Sequence, residues 1–328
     1  TSDLHACALR ADGTLWCWGD NEYGTLGDGT TVNRSSPVQV TALGASVASV
    51  APGATCAVDR DSALWCWGIN RAGQVGDGTT IDRSTPVRVT ALGDGVAQGA
   101  SGWTTCALKR DGTLWCWGAN EYGQVGDGTT VDKSTPLLVA ALGTNVAGVT
   151  VGPGRTCAFK QDGTLWCWGM NLSASGPPQF ITSKDYSTTP MQVPGLDGVV
   201  SVVLSDYACV LRGGGTVWCW GNNAYVLGVG LQSPVQVTGL GTEVSAIAAG
   251  TRHACAVKND GTLWCWGING ASVGVLGIGT ALGTRTMAEK SDVPLRVTVI
   301  GNAQVATVAA ELTSHASARK MATSGAGR

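Results

Sequence analysis

The chain has 328 residues, a formal net charge of -2, 13% charged residues and 48 glycines. Charge is half the usual ~25% and glycine twice the usual ~7%, and the net charge of -2 excludes a globally basic groove for nucleic acid and a polybasic membrane anchor. The 44% hydrophobic content supplies a core and excludes a disordered chain, and no apolar run reaches the ~18 residues of a membrane span, so no membrane insertion is expected. No amino-terminal stretch runs from charged to apolar as a secretory leader does, which fits a mature or trimmed form.

The first element is a hairpin. His5–Leu9 and Thr14–Trp18 flank Arg10-Ala-Asp-Gly13, whose Asp-Gly is a hairpin turn signal. The second strand holds Leu15-Trp-Cys-Trp-Gly19. That pentapeptide recurs at 64–68, 114–118, 165–169 and 263–267, and with Val217 in the lead at 217–221. Its cysteine steps by 49, 50, 51, 52 and 46 residues, and 12 of the 13 tryptophans lie in the six copies. A period near 50 marks a propeller or a solenoid. Hairpin cores are expected near 5–18, 55–67, 105–117, 156–168, 208–220 and 254–266.

Residues 86–118 show one repeat. Pro86–Val89 opens on proline, as suits an edge strand. Val96–Gly99 is a second strand, and Thr105–Leu108 with Thr113–Trp117 make the hairpin. No segment has a 3.6-residue period, so helix is nearly absent. Four short strands per repeat predict an all-β fold, a β-propeller. At the carboxyl end, Pro294–Thr298 and Gln304–Ala310 are strands without a hairpin, whereas the first hairpin lacks the strands before it. Together they predict six four-stranded blades within one domain, residues 1–318. The ring closes by pairing of both termini in one blade, through closing strands within 294–310. Seven blades is the alternative, because Ser314-His-Ala-Ser-Ala318 echoes His253-Ala-Cys-Ala256. Residues 319–328 show no strand pattern and read as a flexible tail.

The twelve cysteines pair at a spacing of ten: Cys7 with Cys17, Cys56 with Cys66, Cys106 with Cys116, Cys157 with Cys167, Cys209 with Cys219 and Cys255 with Cys265. In a hairpin that turns at Asp12, Cys7 faces Cys17, and directly opposed residues lie ~4.5 Å apart at Cα, the lower limit for a disulfide. The same arithmetic places Ala8 opposite Trp16 and Ala6 opposite Trp18. Zinc is the competing use, but this spacing is not a zinc spacing and only three histidines exist. Six disulfides predict an oxidising compartment: extracellular, cell-surface or periplasmic.

Aligned, the repeats share Val-x-x-(Ile/Val)-Ala-x-Gly-x-x-(His/Thr)-x-Cys-Ala-Leu-x-x-Asp-Gly-Thr-Leu-Trp-Cys-Trp-Gly-x-Asn-x-x-Gly-Gln-Val-Gly-Asp-Gly-Thr. This pattern resembles the regulator of chromosome condensation repeat, in the cysteine-containing form common in secreted bacterial proteins, over about residues 1–310. The resemblance implies a propeller, seven-bladed in the eukaryotic relatives. It specifies fold far better than function, because propellers host unrelated activities. Nucleotide exchange and chromatin binding, the work of the family's namesake, call for a basic surface in the cytosol or nucleus.

Several residues are candidates for chemistry. Gly270-Ala-Ser272-Val-Gly274 matches a nucleophile elbow, but it follows a hairpin and lacks the required helix. Asp28-Gly-Thr-Thr-Val-Asn33, Asp77-Gly-Thr-Thr-Ile-Asp82 and Asp127-Gly-Thr-Thr-Val-Asp132 offer oxygens to calcium. The same residues also satisfy backbone donors in turns, and both readings stay open. His5 and His253 take the family's histidine position, with Thr55, Thr105, Thr156 and Tyr207 expected there in the other repeats; the plain reading is a hydrogen-bonding post. Gly102-Trp103 resembles the start of a Gly-Trp-Arg-His-Thr motif of a plant photoreceptor that shares the repeat, yet Thr104 and Thr105 replace Arg and His.

No catalytic residue, metal or cofactor is assigned, and no enzymatic activity is expected. The expected role is protein–protein recognition, adhesion or assembly through an unidentified partner or self-association; the alternative is a carbohydrate-binding propeller. Linkers after the fourth to sixth hairpins depart from the repeat, and loops on rigid scaffolds collect binding residues. Phe180, Ile181 and Tyr186, with Tyr225 and Met287, are therefore the candidate partner-binding rim.

Overall fold

A computed structural model of the chain describes residues 5–51, 53, 55–170, 186–205, 207–221, 231–250, 253–268, 290–297, 305–310 and 316–320. The chain forms two compact units: Thr1–Ser175 with Gln179–Pro194, and Gly176–Pro178 with Gly195–Arg328. In the first unit, β1 (His5–Leu9), β2 (Leu15–Gly19) and β3 (Arg34–Gln39) make a three-stranded sheet. Three four-stranded sheets follow. They are β4 (Val47–Val50), β5 (Cys56–Asp59), β6 (Leu64–Gly68), β7 (Arg83–Arg88); β8 (Val96–Ala100), β9 (Thr104–Lys109), β10 (Leu114–Gly118), β11 (Lys133–Leu138); and β12 (Val146–Gly152), β13 (Arg155–Lys160), β14 (Leu165–Met170), β15 (Tyr186–Gln192).

The second unit holds two more four-stranded sheets. They are β16 (Val199–Leu204), β17 (Tyr207–Arg212), β18 (Val217–Gly221), β19 (Leu231–Gln236); and β20 (Val244–Ala249), β21 (His253–Lys258), β22 (Leu263–Ile268), β23 (Lys290–Arg296). A pair, β24 (Val305–Ala310) and β25 (Ala316–Lys320), completes it. All ladders are antiparallel, and the described helices are four single 3-10 turns. The fold is a six-bladed β-propeller: five blades are complete in these sheets, and the three-stranded sheet is the sixth, without a counterpart of β4.

The Pro-led strand, expected at the head of each repeat, is instead the last strand of the preceding blade. Trp65 pairs with Arg88, Cys66 with Val87 and Gly68 with Arg83. The linker 69–82 folds back on itself, so the chain returns antiparallel to the strand it left. The first hairpin therefore already has its outer strand and lacks one strand rather than two. By the same rule Pro294 belongs to β23, where Cys265 pairs with Leu295. β24 pairs with β25 in the register and with the bulge that β20 keeps with β21: Val305 with Lys320 and Ala310 with Ala316, as Val244 with Lys258 and Ala249 with Ala254. Ser317 thus takes the place of Cys255, and the strand runs two residues beyond 318 because the ladder of β24, not side-chain alternation, defines it.

Six disulfides close the hairpins, Cys7–Cys17 through Cys255–Cys265, each with 4.1 Å between Cα atoms. Each lies between directly opposed residues, and Ala8 faces Trp16, Ala6 Trp18. Alternation along the Leu-Trp-Cys-Trp strand sends Leu and Cys to one face and both indoles to the other. Leu64, Cys66 and Val75 pack with Ala107 and Trp117 of the following blade. Leu114, Cys116 and Val125 pack with Ala158 and Trp168. In the second unit, Val217 and Cys219 pack with Ala256 and Trp266. A buried indole of ~200 Å² at ~25 cal/mol/Å² contributes about 5 kcal/mol gross, an upper bound.

Candidate interaction surface

Each of the first three linkers is keyed to the blade that follows. The Trp67, Trp117 and Trp168 indoles donate to the carbonyls of Thr25, Gln74 and Gln124 at 2.8–2.9 Å. Beneath them lie Gly27, Gly76 and Gly126, all with positive φ; a methyl on Gly76 would come within 2.6 Å of the Trp117 indole nitrogen. The glycine of the Val-Gly-Asp-Gly-Thr motif and the second tryptophan of the next hairpin are thus two halves of one contact.

The first tryptophan of the pentapeptide is half-buried, and its indole is also engaged. Trp16, Trp115, Trp166 and Trp264 donate to the threonine of their own Asp-Gly-Thr turn, and Trp218 donates to Thr216 of a Gly-Gly-Thr turn, at 3.0–3.3 Å. In the second blade Asp61-Ser62-Ala63 replaces that turn. Ser62 takes the positive φ, and Trp65 donates to Asp59 at 2.8 Å instead.

The Asp-Gly-Thr-Thr loops are latches. Asn70 is fully buried; its Oδ1 accepts from Val75 N–H at 2.9 Å, and its Nδ2 donates to the carbonyls of Thr79 and Ile81 at 3.1 Å. Asp77 accepts from the Thr79 amide and hydroxyl at 2.9 and 2.7 Å and from Arg83 Nε at 2.7 Å. Asp28–Arg34 and Asp127–Lys133 repeat the ion pair at 2.9 Å. These carboxylates satisfy turn donors and already face a protein cation, and no cluster of three metal-ligating side chains occurs among the described residues. Burial pushes the Asp77 carboxyl up, but bonds from Thr79 and Arg83 outweigh it and leave it below the ordinary carboxylate range.

A carboxyl lowered by folding stabilises the fold above the unfolded pKa of ~3.9, and that contribution is lost as pH falls through the folded value. Asp77→Asn is expected to cost about 1–3 kcal/mol at pH 7, from a buried bond and an unmatched Arg83. Urea midpoints check this. The gap between variant and parent narrows at pH 3; a gap of equal size at both pH values rejects the latch.

The histidine column is corrected by one residue. His5 pairs with Gly19, Thr104 with Gly118, Arg155 with Gly169, Tyr207 with Gly221 and His253 with Gly267. Thr105 and Thr156 come one residue later, opposite Trp117 and Trp168, and so face the other side of the sheet. There their hydroxyls donate to the same Gln74 and Gln124 carbonyls that hold the indoles, both at 2.8 Å. His5 and His253 are buried, and Tyr207 donates to the His253 carbonyl at 2.6 Å.

Of the rim residues named from the sequence, Tyr186 opens β15 opposite Met170 and is 38% exposed. Phe180, Ile181, Tyr225 and Met287 lie outside the described residues, as does Ser272. Exposed groups that sequence reading missed are Val32, Ile81 and Val131, one per Asp-Gly-Thr-Thr loop, each about 60% exposed. Their signal was an apolar residue recurring inside a polar turn. Trp103 is 52% exposed.

A family model described as the Regulator of chromosome condensation (RCC1) repeat matches residues 12–58, 61–108 and 111–159, and a second of the same description matches 244–272. Together they take in just over half of the chain. No curated protein sequence matches it. Among solved structures, human WBSCR16 superposes with a TM-score of 0.75, covering 94% of this chain and 82% of its own at 23% identity. Prp20p of Saccharomyces cerevisiae gives 0.76, with 97% and 81% covered at 19% identity. The yeast protein bound by Kap60 gives 0.75, with 97% and 79% covered at 19% identity. At these identities the likeness is one of fold.

Proposed function

Because this chain belongs to the regulator of chromosome condensation (RCC1) repeat family, we propose that it is a protein-interaction scaffold with no chemistry of its own. Its working place in this reading is an oxidising one: extracellular, cell-surface or periplasmic. The observation that supports the reading is the use of the repeated polar groups. The indole, threonine, asparagine and aspartate side chains named above in the first unit are engaged with backbone or with one another, which stiffens those blades. What differs from blade to blade lies in linkers and loop tips, where rigid scaffolds present their contacts. The solved structure of yeast Prp20p is described with its binding to Gsp1p and histones, and another holds Kap60 on the same protein. Protein is the partner class carried over. Six disulfides support the compartment, and no described helix is long and apolar enough to cross a membrane.

The test is chemical cross-linking of the oxidised protein at its native surface. A stoichiometric protein partner that excess unlabelled chain displaces supports the scaffold. Saturable binding on a glycan array with no displaceable protein replaces it with the lectin reading, for which the exposed Trp103 indole is a favourable feature. We assign the partner rim to Phe180, Ile181, Tyr186, Tyr225 and Met287. Phe180→Ala with Tyr186→Ala is expected to weaken partner binding at least about tenfold, as loss of anchoring aromatics does, with an unchanged melting temperature. A lower melting temperature with full binding makes these side chains a local mini-core instead.

A further inference from the structure

Two Asn-x-Ser triplets occur in the chain, Asn33-Arg-Ser35 and Asn171-Leu-Ser173, and the first lies among the described residues. In the next two linkers the same place holds Asp82-Arg-Ser84 and Asp132-Lys-Ser134. The basic residue and the serine are constant across the three loops. What changes is one carboxylate for one amide.

That side chain has the same task in all three loops. Oδ1 of Asn33, Asp82 and Asp132 accepts from the backbone amide of Asn21, Asn70 and Asn120 at 2.7–2.8 Å. One oxygen is all that the latch takes from it. The second atom of the group is left over. In the second loop it is Asp82 Oδ2, which stands 4.0 Å from Nε of the largely exposed Arg71. That guanidinium lies over the Tyr23 ring, with Cζ 4.7 Å from the centroid. In the first loop it is Asn33 Nδ2, because an N–H donor must meet the amide oxygen and not the amide nitrogen.

Asn33 and Ser35 are both exposed, and Arg34 between them is held by Asp28 at 2.9 Å. Asn21 Nδ2 donates to the Val32 carbonyl at 3.2 Å, so the loop is fastened on both sides of the Asn33 Cα. No described hydrogen bond uses Asn33 Nδ2. An amide substituted at nitrogen keeps its carbonyl oxygen and one N–H, so the latch and a substituent on Nδ2 are compatible.

We infer that Asn33 is the acceptor of an N-linked oligosaccharide. A surface Asn-x-Ser with x other than proline is the acceptor triplet in a secreted chain, so this rests on the oxidising compartment proposed above. The co-substrate class is an oligosaccharide linked to a lipid pyrophosphate. Asn33 Nδ2 forms a bond to the anomeric carbon of the sugar. The bond from that carbon to the pyrophosphate oxygen breaks, its electron pair leaves with the lipid pyrophosphate, and one Nδ2 proton is released. The hydrophilic chain then stands beside Val32, which is 58% exposed. The corresponding Ile81 and Val131 tips stay bare, because Asp82 and Asp132 have no nitrogen to offer.

The experiment directs the full chain into a eukaryotic secretory lumen and maps the secreted protein by mass spectrometry. A peptide amidase in heavy-oxygen water releases the glycan and leaves a labelled aspartate at an occupied site. Label at residue 33 is expected. Asn33→Asp, the residue of the other two loops, and Ser35→Ala should each abolish the glycan, and Ser35→Thr should keep it. Asn33→Asp should melt with the deglycosylated parent, because a carboxylate serves the Asn21 amide as well. A chain bare at residue 33, a glycan that persists there in Ser35→Ala, or a lower melting temperature in Asn33→Asp overturns the proposal. The same maps read the disulfides. Closed bonds over a bare Asn33 remove the acceptor and leave the compartment standing; free thiols over an occupied Asn33 do the reverse; free thiols over a bare Asn33 remove both.

Discussion

Trp117→Ala is expected to lower stability by about 3–5 kcal/mol, the range for truncating a buried aromatic. Trp117 is fully buried, packs on Leu64, Cys66 and Val75 of the preceding blade, and donates to the Gln74 carbonyl. Truncation opens a cavity between two blades and removes one of the two donors on that carbonyl; Thr105 remains. At roughly 2–4 °C per kcal/mol for a chain of this class, the melting temperature falls by about 6–20 °C. Trp115→Ala, two residues away on the same face, removes a half-buried indole bonded to Thr113 and should cost clearly less. Gly76→Ala attacks the same contact from the linker, through a positive φ and a methyl 2.6 Å from the indole nitrogen. Combined with Trp117→Phe it should show a coupling of about 0.5–3 kcal/mol. Calorimetry on the single and double variants decides. Additive effects, or Trp115→Ala costing as much as Trp117→Ala, would falsify the blade-to-blade key.

Reduction should have the larger effect. Loop entropy assigns about 2.7 kcal/mol to a disulfide that closes ten residues, an upper figure where an Asp-Gly turn already closes the hairpin. Even at ~1 kcal/mol each, six bonds reach the lower end of the ~5–15 kcal/mol that holds a domain folded. The reduced protein is expected to lose cooperative melting near ambient temperature, whereas the double substitution Cys106→Ala with Cys116→Ala only lowers the transition. All twelve cysteines should resist alkylation before reduction and react after it; because most of the sulfurs are buried, Cys17, Cys66, Cys106 and Cys116 at 0% exposure, the reductant should reach them only as the blades open. Mass mapping before and after reduction, beside circular dichroism melts, checks both points. A reduced protein that melts within ~2 °C of the oxidised one shows that the hairpins hold themselves.

Much of this was legible in the sequence because it is local. The hairpins needed only an Asp-Gly turn and a two-residue side-chain period, so counting outward from Asp12 brings Cys7 to Cys17 and Ala8 to Trp16, the pairs the first sheet contains. The column around the cysteines shows the limit of that counting. His5 and His253 stand two residues before a cysteine and Thr105 one before, and a slip of one residue moves a side chain to the opposite face. Of the candidate rim, only Tyr186 falls among the described residues, at an exposed strand start.

By itself the sequence determined the element type, the hairpin registers, the disulfide partners and the propeller class, because each follows from contacts within about ten residues or from repetition of one motif. Only the tertiary structure decided which hairpin owns the Pro-led strand. That choice depends on how the linker 69–82 folds around Asn70, and a strand of that pattern satisfies either neighbour equally well. It also decided that Gly76 belongs with Trp117, that Thr105 shares a carbonyl with an indole, and that Arg71 rests on Tyr23. These contacts join residues 31 to 48 positions apart in the chain. Nothing in spacing or composition marks them, because their partners meet only when one blade is laid against the next.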